Sequence, residues 1–435
     1  MSAVRLAPLG RIRARLRVPG DKSISHRALI LNALAEGAAT VTGLAPGLDV
    51  RATAAALAAL GAGVEPVGRG AARVTGPEAW ASRAIVDCGN SGTTARLLLG
   101  ALAPRARGTV VLDGDASLRR RPMARVERPL AAMGAEIVGR GEPGRLPLAV
   151  RGAALRGRNH RLDVASAQVK SAILLAGLAA EGATLVEEPA PSRDHTERML
   201  RAMGAAIETT SGGVRLEPGP IEAVDVRVPG DLSSSAFFLG LAAASGGEAI
   251  VEGVGLNPGR TGFLDLLARM GAEVVAEPVD GDAEPGDSVE PRGNVTVRAD
   301  GLRGIEITAP EVPRAIDELP LLAVVATRAD GETRVTGAAE LRVKESDRIA
   351  TIVGALVRMG ADVEALPDGF VVRGRTPLRG AALDASGDHR IAMALAVAAS
   401  LADGTSTLSG AEWVDVSYPG FFAALAGCAD TRVVA

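Results

Sequence analysis

Residues 18–37 read VPGDKSISHRALILNALAEG, and residues 228–247 read VPGDLSSSAFFLGLAAASGG. Both open on the turn Val-Pro-Gly-Asp, pass through a serine-rich start into an apolar run of helical length, and close on glycine. The offset is 210 residues, close to half the chain. The sequence therefore predicts two similar halves, with the VPGD turns as the crossings between them.

A finer period lies within each half. A glycine followed by a short β-like stretch occurs six times, from Gly37, Gly108, Gly182, Gly247, Gly331 and Gly404. Further along each copy an apolar pair at i, i+3 precedes a second glycine, as in Leu57 and Leu60 before Gly61 or Leu356 and Met359 before Gly360. The two glycines stand 22 to 29 residues apart, which places a helix end with glycine just beyond it and a strand to follow. Each copy reads as a βαβαββ-like module that cannot bury both faces alone and must pack on its neighbours. The expected fold is mixed α/β, with residues 21–228 as one three-unit domain and residues 229–435 as the other. The sixth unit runs out after Gly427, whereas residues 4–18 look like the missing strand-turn-strand, so residues 1–20 are expected to complete the second domain. A Pro/Gly/Asp-rich stretch at 277–293 lengthens the fourth unit and is expected to be a solvated hairpin loop.

The 435 residues carry a net charge of -3 and only 2% aromatic side chains. This leaves neither a basic field nor stacking platforms, and argues against a nucleic-acid partner. Cys88 and Cys428 are the two cysteines, too few for a disulfide framework or a cysteine-rich metal site, and a reducing cytoplasm fits. The N-terminal segment lacks the apolar core of a signal peptide, and the runs at 172–180 and 391–402 fall short of a membrane span. Their length suits buried helices.

Of the 48 basic residues only Lys22, Lys170 and Lys344 are lysines, each in a loop-to-helix segment crowded with Ser, Asp, Glu, Arg and His. A retained lysine marks a place that uses a compact, mobile ammonium rather than a guanidinium fork. Lys22, His26 and Arg27 of the first VPGD copy correspond to Leu232, Ala236 and Phe237 of the second. The scaffold repeats and the charges do not, so Lys22, Ser23 and Arg27 are read as ligand contacts at a helix N-terminus, where unpaired N–H groups and the dipole favour phosphate or carboxylate. Ser23 and Ser25 equally suit plain helix caps. Similar starts recur at Asn90-Ser91-Gly92-Thr93-Thr94, with Arg96 behind, and at Ser166-Ala167-Gln168-Val169-Lys170-Ser171, where Lys170 reads either as a ligand contact or as support for the Gln168 loop. Arginines gather at Arg119-Arg120-Arg121, and Arg193 precedes another helix start. The second half adds acids: Asp317-Glu318, Lys344-Glu345-Ser346-Asp347-Arg348 and Asp388-His389-Arg390. Four residues apart on a helix, Lys344 and Arg348 would share a face; an exposed, salt-bridged helix is the plain alternative. The chain has no Walker-type phosphate loop, no HExxH pair and no GxSxG elbow.

In order along the chain, VPGDKSISHRAL from Val18, GNSGTTARL from Gly89, DGDASLRRRPM from Asp113, SAQVKSAILLAG from Ser166, SRDHTE from Ser192, LRVKESDR from Leu341 and GDHRIAMAL from Gly387 together resemble the enolpyruvyl transferase family. The resemblance implies two inside-out α/β barrels (an α-β prism), each of three units, with the active site in the cleft between them. It implies transfer of the enolpyruvyl group of phosphoenolpyruvate to the 5-hydroxyl of shikimate 3-phosphate, releasing phosphate, in the shikimate pathway of aromatic amino acid biosynthesis. No metal and no organic cofactor are expected, and the working form is expected to be a monomer.

Carried over by motif position, Lys22, Ser23, Arg27, Ser166, Gln168, Arg193, Asp317 and Lys344 resemble the shikimate 3-phosphate contacts. Lys22, Asn90, Gly92, Arg121, Gln168, Arg348 and Arg390 resemble the phosphoenolpyruvate side. The resemblance implies that Asp317 deprotonates the hydroxyl, Glu345 handles the methyl proton, and Lys22 stabilises the departing phosphate. Some members carry a lysine where Val416 precedes Ser417-Tyr418-Pro419, so a contact from that position is not expected. Relatives acting on a UDP-sugar use a cysteine in the loop that here spans 115–122, and this loop has none. A phosphate cyclase of RNA ends shares the module, and the missing basic surface and aromatics speak against it. Against a non-catalytic phosphate-binding repeat protein stand Asp317 and Glu345 placed with Lys344.

Overall fold

The structure, a computed structural model, describes residues 2–139, 144–279 and 289–429. The chain divides into two compact units. One comprises Gly20–Val228 with Gly281–Glu290, and the other comprises Met1–Pro19, Pro229–Asp280 and Pro291–Ala435. They are called here the first and second units.

In the first unit the helices Lys22–Leu34, Gly92–Leu102 and Ala167–Gly177 form the interior. Every residue from Ile24 to Ala33 is buried, with the polar Ser25, His26, Arg27 and Asn32 hydrogen-bonded inside. Three half-buried helices, Leu48–Ala59, Ala124–Ala132 and His195–Ala202, pack around them, and three sheets cover the outside. In one sheet Ala38–Thr42 runs antiparallel to Ala71–Thr75 and parallel to Val226–Arg227. Thr109–Asp113 has the same two kinds of neighbour in Leu148–Arg151 and Arg83–Asp87, and so has Thr184–Glu187 in Gly213–Leu216 and Asn159–Arg161. Each module thus lends its last strand to the sheet of the next, and the third lends its own to the first. Helices lie inside and sheets outside, which is the expected inside-out mixed α/β arrangement.

The second unit repeats the plan around Leu232–Ser245, Leu319–Ala326 and His389–Ser400, helices buried along nearly their whole length. The N-terminal strand-turn-strand belongs to it, and its two strands enter different sheets. Ala3–Leu6 runs antiparallel to Ser406–Ser409, while Arg13–Leu16 runs parallel to Glu248–Gly255 in a different sheet. The reason is the lending rule: the last two strands of a module part company, one staying at home and one crossing to the neighbour.

The solvated-loop expectation for 277–293 is corrected at its far end, where Val289 and Glu290 are buried; positions 280–288 lie outside the described residues. The repeated glycine after each outer helix adopts the left-handed conformation that frees the cap from a Cβ penalty, with φ +98° at Gly61 and +90° at Gly360.

Two glycines inside helices separate packing from propensity. A Cβ on Gly100 would stand 2.1 Å from the carbonyl oxygen of Ala172 on the adjacent inner helix, whereas one on Gly354 would meet nothing within 4 Å. Urea denaturation should show Gly100→Ala destabilised by about 1–3 kcal/mol or more through overpacking. Gly354→Ala should be stabilised by roughly 0.5–1 kcal/mol.

Candidate active site

Side chains tie the N-terminal turns of the three inner helices together at one end of the first unit. Asp21 Oδ1 caps the Lys22–Leu34 helix, accepting from Ile24 N at 2.9 Å, which leaves Ser25 to donate to Asp21 O and accept from Ala45 N. Arg27 on this helix donates to Ser171 Oγ at 2.9 Å on the Ala167–Gly177 helix, to Thr196 Oγ1 at 2.8 Å and to Ser23 O at 3.0 Å. Gln168 donates to Thr93 Oγ1 at 2.9 Å at the start of Gly92–Leu102 and accepts from Arg96 at 2.7 Å. A chain of contacts from His26 Nδ1 through Thr53 Oγ1 to Thr94 Oγ1, each 2.6 Å, closes the triangle. Three helix N-termini held at one end concentrate N–H groups and positive dipole ends, an environment built for anions.

The sequence-derived residues of this half surround that end. Lys22 Nζ lies 3.0 Å from Asp49 Oδ2. Arg121 donates to Asn90 Oδ1 at 2.8 Å, and Asn90 donates to Asp115 Oδ2 at 2.7 Å. Gly92 begins its helix where a Cβ would come 2.7 Å from Arg96 Nη1 and 3.3 Å from Arg121 Nη1, so its lack of a side chain keeps two guanidinium groups in place. Ser166 caps the third helix. Arg193 is close enough to lower the Arg27 guanidinium electrostatically. Burial is the main cause of that lowering, to about 10, and Arg27 remains a cation. His26 is held well below the ordinary histidine value by burial first and then by Lys22 and Arg27, so it is neutral and structural.

Lys170 is held in a buried ion-paired triad. Its ammonium sits 2.7 Å from both Glu188 and Glu197, all three side chains at most 7% exposed. Burial works to lower the Lys170 ammonium, but the two carboxylates together raise it above its ordinary value. Glu188 also accepts from Ser166 N at 3.2 Å and Ser192 N at 3.4 Å, so the buried triad fixes the loops carrying Ser166 and Arg193. Glu290, which groups with this unit, lies with Oε1 2.6 Å from His195 Nδ1. Asp49, Glu188 and Glu290 were missed in the sequence, since none lies in a segment that the motifs singled out; Thr196 and Glu197 stand in the SRDHTE segment, but no role was read for them.

The second unit builds an acidic counterpart. Arg348, 1% exposed, lies 2.8 Å from Asp388, 2.6 Å from Glu345 and 3.4 Å from Asp317. Burial works to lower this guanidinium, and Asp388, Glu345 and Asp317 outweigh it, so it is held above its usual range. Arg390 stands 3.6 Å from Asp317 Oδ2 and 3.7 Å from Glu318 Oε1. The expected shared helical face of Lys344 and Arg348 is corrected: the helix begins only at Arg348, capped by Asp347, and Lys344 precedes it in a bend. The bend turns Glu345 onto Arg348. The Lys344 ammonium is held below its ordinary value by lost hydration, with Asp317 opposing and Arg348 reinforcing the effect. An exposed salt-bridged helix is excluded by the burial of Arg348.

Removing the Lys170 charge while keeping its bulk, as in Lys170→Met, leaves two buried carboxylates uncompensated. Equilibrium unfolding should show a loss of about 3–5 kcal/mol.

Comparison with known proteins places these features in a family. The profile described as EPSP synthase (3-phosphoshikimate 1-carboxyvinyltransferase) matches residues 6–425. A 3-phosphoshikimate 1-carboxyvinyltransferase of Synechococcus sp. (strain WH7803) is 51% identical over 433 residues, covering 96% of each chain. The protein of that name from Thermus thermophilus is 50% identical over 425 residues, covering 97% of this chain and 98% of its own. A solved EPSP synthase from Acinetobacter baumannii superimposes with a TM-score of 0.84 at 39% identity, covering 98% of both chains. The chain therefore belongs to the EPSP synthase family, the 3-phosphoshikimate 1-carboxyvinyltransferases, and is an enolpyruvyl transferase.

Proposed function

We propose that the chain transfers the enolpyruvyl group of phosphoenolpyruvate to the 5-hydroxyl of shikimate 3-phosphate by addition and elimination. The observation that carries this reading is the division of labour: cations gathered at three helix N-termini in the first unit, and carboxylates set around Arg348 in the second. Both substrates are phosphorylated acids and need the first set; the proton transfers need the second.

Asp317 takes the proton of the 5-hydroxyl as its oxygen bonds to C2 of phosphoenolpyruvate. C2 becomes electrophilic only as C3 gains a proton, which Glu345 supplies. In the second half the C2–O bond to phosphate breaks, a methyl proton returns to Glu345, and phosphate leaves toward Lys22. Shikimate 3-phosphate is held by Lys22, Ser23, Arg27, Ser166, Gln168, Arg193, Asp317 and Lys344. Phosphoenolpyruvate is held by Lys22, Asn90, Gly92, Arg121, Gln168, Arg348 and Arg390. The reading includes a monomer acting in the cytoplasm.

Phosphate release from phosphoenolpyruvate in the presence of shikimate 3-phosphate tests the reading. Asp317→Ala and Glu345→Ala should each lower kcat by roughly 10²–10⁴, and no turnover by the parent chain would end it. Arg27→Ala should weaken shikimate 3-phosphate binding by about 1.5–3 kcal/mol in calorimetry. Lys344 gives a signed pH effect. Its ammonium is depressed in the empty site, and an arriving phosphate raises it again, so binding takes up a proton at alkaline pH and affinity falls as pH climbs through the depressed value. Calorimetry in buffers of different ionisation enthalpy should show that uptake, and Lys344→Arg should abolish it.

A further inference from the structure

Arg260 is a cation that neither the sequence motifs nor the substrate assignment above uses. It lies in the loop leading into the outer helix Gly262–Arg269 of the second unit, and its side chain is 5% exposed. One guanidinium nitrogen, Nη2, lies 3.0 Å from Asp231 Oδ1 and 2.9 Å from Ser233 Oγ. Asp231 in turn caps the inner helix Leu232–Ser245, accepting from Ser233 N at 2.8 Å. The other nitrogen, Nη1, stands 3.9 Å from Asp317 Oδ2. In the first unit Asp49, in the first turn of the outer helix Leu48–Ala59, meets Lys22. The start of an outer helix thus serves the N-terminal turn of the first inner helix in both units, with an acid in one and a cation in the other.

We propose that Arg260 is a positioning residue for Asp317, holding its carboxylate ionised and aimed while substrate is bound. The proposal rests on the reading of Asp317 as the group that takes the hydroxyl proton. Three guanidinium groups surround that carboxylate, and two of them, Arg348 and Arg390, are assigned to phosphoenolpyruvate. When that anion arrives they divide their charge with it, and Asp317 gains a negative neighbour. Arg260 is anchored by the helix cap, through Asp231 and Ser233, rather than by the incoming anion. At 3.9 Å it supplies field without a hydrogen bond, so it favours the anionic base without occupying the oxygen that must receive the proton. Replacing it exposes Asp317 to the incoming charge and to rotation, which slows the chemical step and leaves phosphoenolpyruvate binding to Arg348 and Arg390.

Steady-state kinetics of the full chain test this. Arg260→Gln should lower kcat at least about tenfold, less than the roughly 10²–10⁴ of the base itself, with KM for phosphoenolpyruvate within about threefold. Arg260→Lys should recover most of kcat. In the Asp317→Ala background Arg260→Gln should change kcat by less than about twofold, because a residue acting through Asp317 has nothing left to act on. Multiplicative losses in the double variant, an unchanged kcat in Arg260→Gln, or a loss confined to KM would overturn the proposal. If Arg260→Gln does not fold, Arg260→Met and its double variant with Asp317→Ala carry the same comparison. A wild-type chain that turns over and an Asp317→Ala variant that does not, combined with multiplicative losses, would remove Arg260 alone. An Asp317→Ala variant with wild-type kcat would remove the reading of Asp317 and this proposal together.

Discussion

Helices buried on all faces have one polar part, their N-terminal turn, and the rest of this structure depends on how those turns are held. In the first unit Arg27, Gln168 and the His26–Thr53–Thr94 chain bind three such turns to one another. In the second, Arg348 and Arg390 tie the Asp388 cap to Asp317 and Glu318 at the start of the middle helix. The sheets outside serve to bury the apolar helices, and the lending of strands between modules fixes the order in which the helices stand. Chemistry is confined to the end where the backbone already offers unpaired donors.

That arrangement sets a cost which the sequence meets in two ways. Buried charges are tolerated only when paired and hydrogen-bonded. Lys170 with Glu188 and Glu197, and Arg348 with Asp388, Glu345 and Asp317, are such groups. The first is closed on itself and orders loops. The second is more open, since Arg390 and Arg260 also face Asp317 and its carboxylates are shared among several cations.

The six modules were legible because glycine at the end of each outer helix is forced by backbone conformation, as at Gly61 and Gly360, and forced residues recur at fixed spacing. The clusters around Lys22, Gln168, Arg348 and Arg390 were legible because they sit at helix starts with a distinctive composition. Asp49 and Arg260 were not, since each is a charge at or just before the start of an outer helix that becomes meaningful only when folding sets it against an inner helix. The sheet partners of residues 4–18 were not legible, because the parallel neighbour of Arg13–Leu16 lies more than two hundred residues away. Lys344 was placed on a helix by its spacing to Arg348, a pattern that cannot show where the first turn begins.

The central proposal assigns Arg27, Ser166, Asp317 and Lys344 to one bound shikimate 3-phosphate. A crystal structure of the chain with shikimate 3-phosphate and phosphate tests it most directly. The account expects one shikimate 3-phosphate molecule within hydrogen-bond distance of Arg27 and Ser166 and also of Asp317 and Lys344. A ligand seated on residues of a single unit, with Asp317 and Glu345 remote from its 5-hydroxyl, would contradict it.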